Sequence, residues 1–298
     1  MRPIPTWLLA LAFVLFWNSG FIGAEYCLPS APPFTLLFWR YWLLVLLLAV
    51  YLGMRGRLYW PGWMAAGNAA LIGILAHGVW LACVFYALLY GVSPGMVALV
   101  VALQPMVTGM LSGSVVGEPT PFHRWVGLFL GFAGVLIAVT ARMESANPQS
   151  ILAYCLPLGS VLAITAASLI QRKWELGEQK KLPVTLELFY QALGTGLFVT
   201  FPAIFIERLA TQWSGEFVVT MLWLVIGVSL IAYGLMWLLL KRMDATRVAS
   251  LFYLGPPVTM LMAWAAFGDT LIWTDVVGLS VIALGILIAQ RSKKVVLK

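Results

Sequence analysis

The chain has 298 residues, 62% of them hydrophobic and 10% charged, with a net charge of +7. Soluble domains carry about 25% charged residues, so this composition excludes a water-covered globule and leaves lipid as the solvent. The positive balance is no nucleic-acid footprint, because the basic residues are scattered through short gaps between apolar runs.

A spanning helix needs ~20 apolar residues. Punctuation by Pro, Gly and charge predicts ten spans, at 6–27, 34–53, 63–90, 94–116, 122–140, 150–171, 184–206, 217–240, 245–267 and 271–290. The first is long enough to span, and no clear small-x-small site follows it, so it reads as a membrane helix and not a signal peptide. Trp17 and Asn18 sit near its middle, with Glu25 seven residues on, sharing that face and lying toward the outside. Polar groups inside a bilayer are costly and invite functional readings. Asn18 reads as a group bonding a substrate or as an interhelical hydrogen bond, worth about 0.6 kcal/mol in membranes. Glu25 reads as a proton carrier or cation attractor, or as a solvated interfacial carboxylate.

Arg40 lies roughly two turns into the second span. It reads as a snorkelling or helix-locking residue, paired with Glu25 or a backbone carbonyl. In the third span His77 and Trp80, three apart, put an imidazole and an indole on one face. A histidine there can titrate near neutral pH or bind a ligand; a satisfied core histidine is the plainer alternative. The fourth span opens on Ser93-Pro94, a helix-start pair. Gln104-Pro105 then interrupts its middle, since proline removes a backbone hydrogen bond and frees carbonyls. Gly109-x3-Gly113 and Gly127-x3-Gly131 are small-residue packing motifs, within the chain first and between copies second. Glu187 stands at the cytoplasmic end of the seventh span, as part of an inner gate or as a solvated carboxylate at a helix N-terminus. Gly255-Pro256-Pro257 interrupts the ninth span as Pro105 does the fourth. Cys27, Cys83 and Cys155 are odd in number and lack CxxC spacing, so no disulfide framework or metal site is implied.

The basic residues orient the spans. With the N-terminus inside, the cytoplasmic gaps hold all but three of the 18 Lys and Arg: Arg2, Arg55, Arg57, Arg124, Arg172, Lys173, Lys180, Lys181, Lys241, Arg242, Arg247, Arg291, Lys293, Lys294 and Lys298. Arg142 and Arg208 fall outside and Arg40 within a span. Positive loops stay cytoplasmic, which places both termini inside.

The chain also repeats itself. At an offset of 151 residues Val97-Ala98 meets Val248-Ala249, Leu103 meets Leu254, Pro105 meets Pro256 and Val107-Thr108 meets Val258-Thr259. Gly117-Glu118 meets Gly268-Asp269, Gly127-Leu128 meets Gly278-Leu279, and Gly134 meets Gly285. With one residue less, Pro33 and Thr35 meet Pro183 and Thr185. Tyr86 pairs with Trp237 and Ala82 with Tyr233, so aromatic groups stand at equivalent places where they could line a cavity, pack, or form an interfacial belt. The expected architecture is all-α, two five-helix units at 1–145 and 146–298. An odd number of spans per unit inverts the second, as in secondary transporters.

The chain resembles the drug/metabolite transporter superfamily, and within it the EamA-type ten-helix exporters. The residues that carry the resemblance are Trp17-Asn18-Ser19-Gly20-Phe21-Ile22-Gly23, Arg40, Phe85-Tyr86-Ala87-Leu88, Pro105 with Gly117-Glu118, and the glycine-rich Gly127 to Gly134 stretch. It departs from the family at Asp269, where Glu is common, and in lacking the mid-membrane acid that the small four-helix relatives carry in their first helix. The resemblance implies export of small metabolites, amino acids among them, and a matching Arg in members with different substrates.

Rival classes find less support. Zinc chemistry needs three or four ligands, but His77 and His123 are the only histidines and no HExxH occurs. Gly109-x-x-Ser112-Gly113 lacks an evident His partner, and no Walker A motif is present. A channel is disfavoured by the broken inverted repeats. The reading is therefore a non-enzymatic, multi-pass exporter of the cytoplasmic membrane that needs no cofactor. Its partners are a small-molecule substrate and the lipid bilayer, with no nucleic acid. Amino acids or related amphipathic compounds, aromatic ones included, are the expected substrates, and a multidrug or lipophilic-compound exporter is the alternative. The sequence is compatible with proton coupling and with a monomer or weak homodimer. The expected cavity residues are Trp17, Asn18, His77, Trp80, Tyr86, Gln104, Pro105, Tyr233, Trp237, Tyr253 and Pro256. Glu25, Arg40 and Glu187 are expected to couple or gate.

Overall fold

The computed structural model describes residues 4–117, 122–143, 153–177, 182–240, 242–243, 248 and 251–289. Arg2, Glu118, Lys180, Lys181, Lys241, Arg247, the first part of the ninth predicted span and the tail from Arg291 to Lys298 lie outside the described residues. The described elements are helical: α1 Thr6–Cys27, α2 Pro33–Met54, α3 Trp63–Leu89, α4 Pro94–Val101, α5 Gln104–Val116, α6 Phe122–Met143, α7 Leu156–Leu176 and α8 Val184–Phe205. Then come α9, from Gly215–Leu222 through Trp223–Ala232 to Tyr233–Leu240, α10 Gly255–Phe267 and α11 Trp273–Ala289. Helices satisfy their own backbone groups, which lipid demands. Among the described residues six stretches are long and apolar enough to cross a membrane, α4 and α5 counting as one, and shorter apolar helices lie at Trp125–Ala138, Phe252–Phe267 and Trp273–Ile288. Pro157 occupies the first turn of α7, where a missing N–H costs nothing.

The proline positions act locally as expected. α4 stops at Val101, and α5 restarts at Gln104 with Pro105 in its first turn. α10 starts at Gly255, after the 3-10 turn Phe252–Leu254, with Pro256 in its first turn. The bounds of α5 and α10 stand at the 151-residue offset, and both helices end on left-handed glycines, Gly117 at φ 76° and Gly268 at φ 74°. Two further irregularities overlap under that offset without sharing their bounds. α3 passes through a π-helical stretch at Ile74–Val79, and α9 through one at Trp223–Ala232.

Packing follows the same pattern. α2 lies against α8 and α6 against α11. α1 packs on α9 and α10, while α7 packs on α3 and α5. The α6–α11 contact is backbone on backbone: a Cβ at Gly134 would stand 2.7 Å from the Gly278 carbonyl oxygen, and one at Gly285 would stand 2.6 Å from that of Gly127. Small residues permit such approach where lipid supplies no hydrophobic drive. The Gly127-x3-Gly131 motif is thus spent inside the chain. The main apolar core draws on every helix from α1 to α11, most heavily on α2, α3 and α4, and a smaller cluster sits around Leu9, Phe13 and Leu239.

Candidate functional site

Two cavities flank the middle of α1. The first is bounded by Trp17 and Phe21 of α1, Arg40 and Tyr41 of α2, His77, Trp80 and Val84 of α3, and Val228 and Tyr233 of α9. The second lies across Trp17 and Trp80 and is bounded by Asn18, by Val101, Gln104 and Pro105 at the α4–α5 break, and by Tyr253, Gly255 and Pro256 at the start of α10. Both interrupted helices therefore face one space. The two π-helical stretches supply His77 and Val228 to the other. Wide turns of this kind redirect side chains and recur at functional sites.

The polar groups on these walls are held in place. Asn18 is buried; its Nδ2 donates to the Val14 carbonyl at 2.7 Å, and its Oδ1 accepts from Thr259 Oγ1 at 3.1 Å. Arg40 Nε and Nη2 both donate to Ser229 Oγ, at 3.2 and 3.0 Å, and the guanidinium lies 5.8 Å from the Tyr41 ring. Ser229 Oγ in turn donates a hydrogen bond to the Leu224 carbonyl five residues back, a reach set by the π turn. His77 Nε2 meets Gln191 Oε1 at 3.3 Å, and Gln191 Nε2 donates to Glu187 Oε1 at 3.3 Å. The amide is thereby oriented with its carbonyl toward the imidazole, so His77 donates. Gln104 Nε2 donates to Thr108 Oγ1, and Thr108 to Thr165 of α7. Aromatic rings close the space: Trp17 stands 5.2 Å from Tyr233 and 5.1 Å from Phe252, and His77 stands 5.9 Å from Tyr233.

The fold thus gathers Trp17, Arg40, His77, Trp80 and Tyr233 around the first cavity, and Asn18, Gln104, Pro105, Tyr253 and Pro256 around the second. Four expected residues stand elsewhere. Tyr86 lies at the far end of α3, where its hydroxyl donates to Glu207 Oε1 at 2.9 Å and its ring meets Phe34. Trp237 is 37% exposed and lines neither cavity. Glu187 reaches the first cavity only through Gln191. Glu25 does not pair with Arg40: the guanidinium turns to Ser229, whereas Glu25 lies within the field of Asp269 and its Oε2 is buried without a partner.

Sequence reasoning missed Tyr41, Ser229, Thr259 and Glu207. Tyr41 adjoins Arg40, but nothing in its own sequence marks its ring as facing the same space. Glu207 lies just past the seventh predicted span, where no motif singles it out. It accepts from Phe34 N–H at 3.1 Å, from Thr35 N–H at 2.6 Å and from Thr35 Oγ1 at 2.8 Å, so it caps a helix more than 170 residues away.

Known proteins agree with this architecture. The model of the EamA-like transporter family matches residues 5–140 and again 151–290. An uncharacterized transporter of Archaeoglobus fulgidus is 29% identical over 89% of this chain and 90% of its own length. The uncharacterized inner membrane transporter YedA of Escherichia coli is 25% identical, covering 97% and 92%. A probable amino-acid metabolite efflux pump of Salmonella typhimurium is 24% identical, covering 94% and 93%. A crystal structure with 21% identity superposes with a TM-score of 0.65 over 96% of both chains, which supports the fold.

Proposed function

The chain belongs to the EamA-like transporter family, and we propose that it is a ten-span secondary transporter that exports small amphipathic metabolites, amino acids or related compounds, by alternating access. It is a multi-pass membrane protein, and the relative named as an inner membrane transporter supports the cytoplasmic membrane as its place. In this reading residues 1–145 and 146–298 are two inverted repeats, with both termini on the cytoplasmic side. The equal spacing of the proline-started helices and their left-handed glycine ends, with π-helical stretches that overlap under the same offset, supports the repeat.

One observation carries the proposal. The proline-started helices of both halves, α5 and α10, converge on a cavity beside Asn18 and Trp17. Backbone interrupted within a membrane is tolerated where it lines a cavity or is buried in protein, and matched breaks in two halves mark transporter sites. Rocking one half against the other would open that space to each side in turn. Asn18, Gln104 and the freed backbone carbonyls would meet polar groups of the substrate, and Trp17, Trp80, Tyr233 and Tyr253 its apolar body. Arg40 would order the wall, Glu187 and Gln191 would stand on the inner approach, and Glu25 would stand on the outer. The relative named as an amino-acid metabolite efflux pump supports that substrate class.

The test is uptake of labelled amino acids into proteoliposomes with and without a pH gradient, in the wild type and in P105A and P256A. Saturable uptake inhibited by congeners is expected, with both variants losing turnover more than expression. Wild-type rates in both variants would refute the site.

A further inference from the structure

Arg40 is the group that the first cavity does not account for. It is 4% exposed, deep among apolar helices, and among the described residues its hydrogen bonds go to a single hydroxyl, Ser229 Oγ. Among the described residues no carboxylate is in ion-pair contact with it, and no Asp or Glu lines either cavity. A hydroxyl offers a dipole and no countercharge. Buried charge without an opposite charge is costly, so the wall is built to be neutralised by something that enters. A second donor stands on the same wall: Trp80 Nε1 is buried and has no acceptor. The remaining surfaces are the rings of Trp17, Tyr41 and Tyr233, with His77 already engaged by Gln191.

We propose that the first cavity selects amphipathic anions, a carboxylate held by Arg40 and the Trp80 N–H with a planar apolar body against Trp17 and Tyr233. The inference rests on the transport reading and narrows its substrate class. Arg40 Nη1 is uncommitted and can complete a forked contact to a carboxylate, the geometry in which guanidinium exceeds ammonium. Planar groups gain from offset or edge contacts with the rings. A ligand ammonium would sit beside a like charge with no acid on the wall to receive it. The order of preference is therefore anion over zwitterion over cation.

Three probes share one phenyl ring and short chain: 3-phenylpropionate is an anion, phenylalanine a zwitterion and phenethylamine a cation. Binding to the full chain in detergent micelles is measured by equilibrium dialysis, and transport by counterflow in proteoliposomes against protein-free vesicles. Binding of 3-phenylpropionate is expected to be roughly tenfold tighter than that of phenylalanine, whose ammonium adds a like charge beside Arg40, with phenethylamine weakest. R40Q removes the order, and R40K keeps part of it. W80F keeps an aromatic face but removes the N–H together with part of the ring area, so it weakens the anion by a larger factor than the amine, which keeps the test available if R40Q does not fold. Phenylalanine or phenethylamine binding as tightly as the anion overturns the proposal, as does an order that survives R40Q, a uniform loss in W80F, or no binding of any probe. Selective anion binding without counterflow would sink the transport reading alone. Equal counterflow of anion and zwitterion would leave transport standing and sink this inference.

Discussion

Removing the Glu207 carboxylate should cost the protein measurable stability although it lies outside both cavities. α2 begins at Pro32-Pro33 and has no side-chain cap of its own. Its first free N–H groups, on Phe34 and Thr35, are satisfied by the two oxygens of Glu207, which also accept from Thr35 Oγ1 and Tyr86 Oη. Four bonds to a charged acceptor, at about 1.5 kcal/mol each, would sum to roughly 6 kcal/mol if they were independent and dry. They share one carboxylate that is only partly buried, so water recovers part of the loss. A helix cap alone is worth about 1 kcal/mol, and stranding the two hydroxyls adds to that, giving about 2–3 kcal/mol for E207A. On the scale of a large soluble domain this lowers Tm by roughly 5–10 °C. E207Q keeps one accepting oxygen and should lose about half as much. Thermal unfolding of purified protein in micelles measures this, with Y86F, which deletes a single bond, as a smaller step. E207A melting within a degree of wild type would refute the clamp, and so would Y86F falling further than E207A.

The helix contacts make two more predictions. G134V should abolish the monodisperse folded peak in size exclusion, because its Cβ would lie 2.7 Å from a backbone oxygen of α11 that cannot swing aside; wild-type yield would show that α6 and α11 pack otherwise. N18A removes the bond to Thr259 between α1 and α10 and should lower stability by only about 0.6–1.7 kcal/mol. Its effect on transport should be larger than its effect on melting, since Asn18 lines the second cavity. A variant that melts much lower yet transports normally would reverse that assignment.

Much of the outline was legible because each membrane helix must satisfy its own backbone. Pro105 and Pro256 break their spans for the same local reason, and Gly117 and Gly268 end helices because a left-handed backbone favours glycine. The spacing of His77 and Trp80 correctly set both on one wall. The failures are of a different kind. Tyr86 and Trp237 are equivalent in sequence, yet one is taken up by Glu207 and the other is partly exposed. Periodicity ranks faces of a helix but says nothing of which neighbour each face meets, and the π-helical stretches in α3 and α9 turn the later residues away from α-helical phase.

Sequence alone determined the solvent, the helices, their proline breaks and the repeated order of motifs, since all of these are properties of composition and short-range backbone chemistry. Tertiary structure decided the partners. It gave Arg40 to Ser229 and left Glu25 near Asp269, tied Asn18 to Thr259, and capped α2 with Glu207. Hydrogen bonds act over about 3 Å. Which polar groups come that close depends on the depth and rotation of helices distant in the chain, which no local pattern encodes.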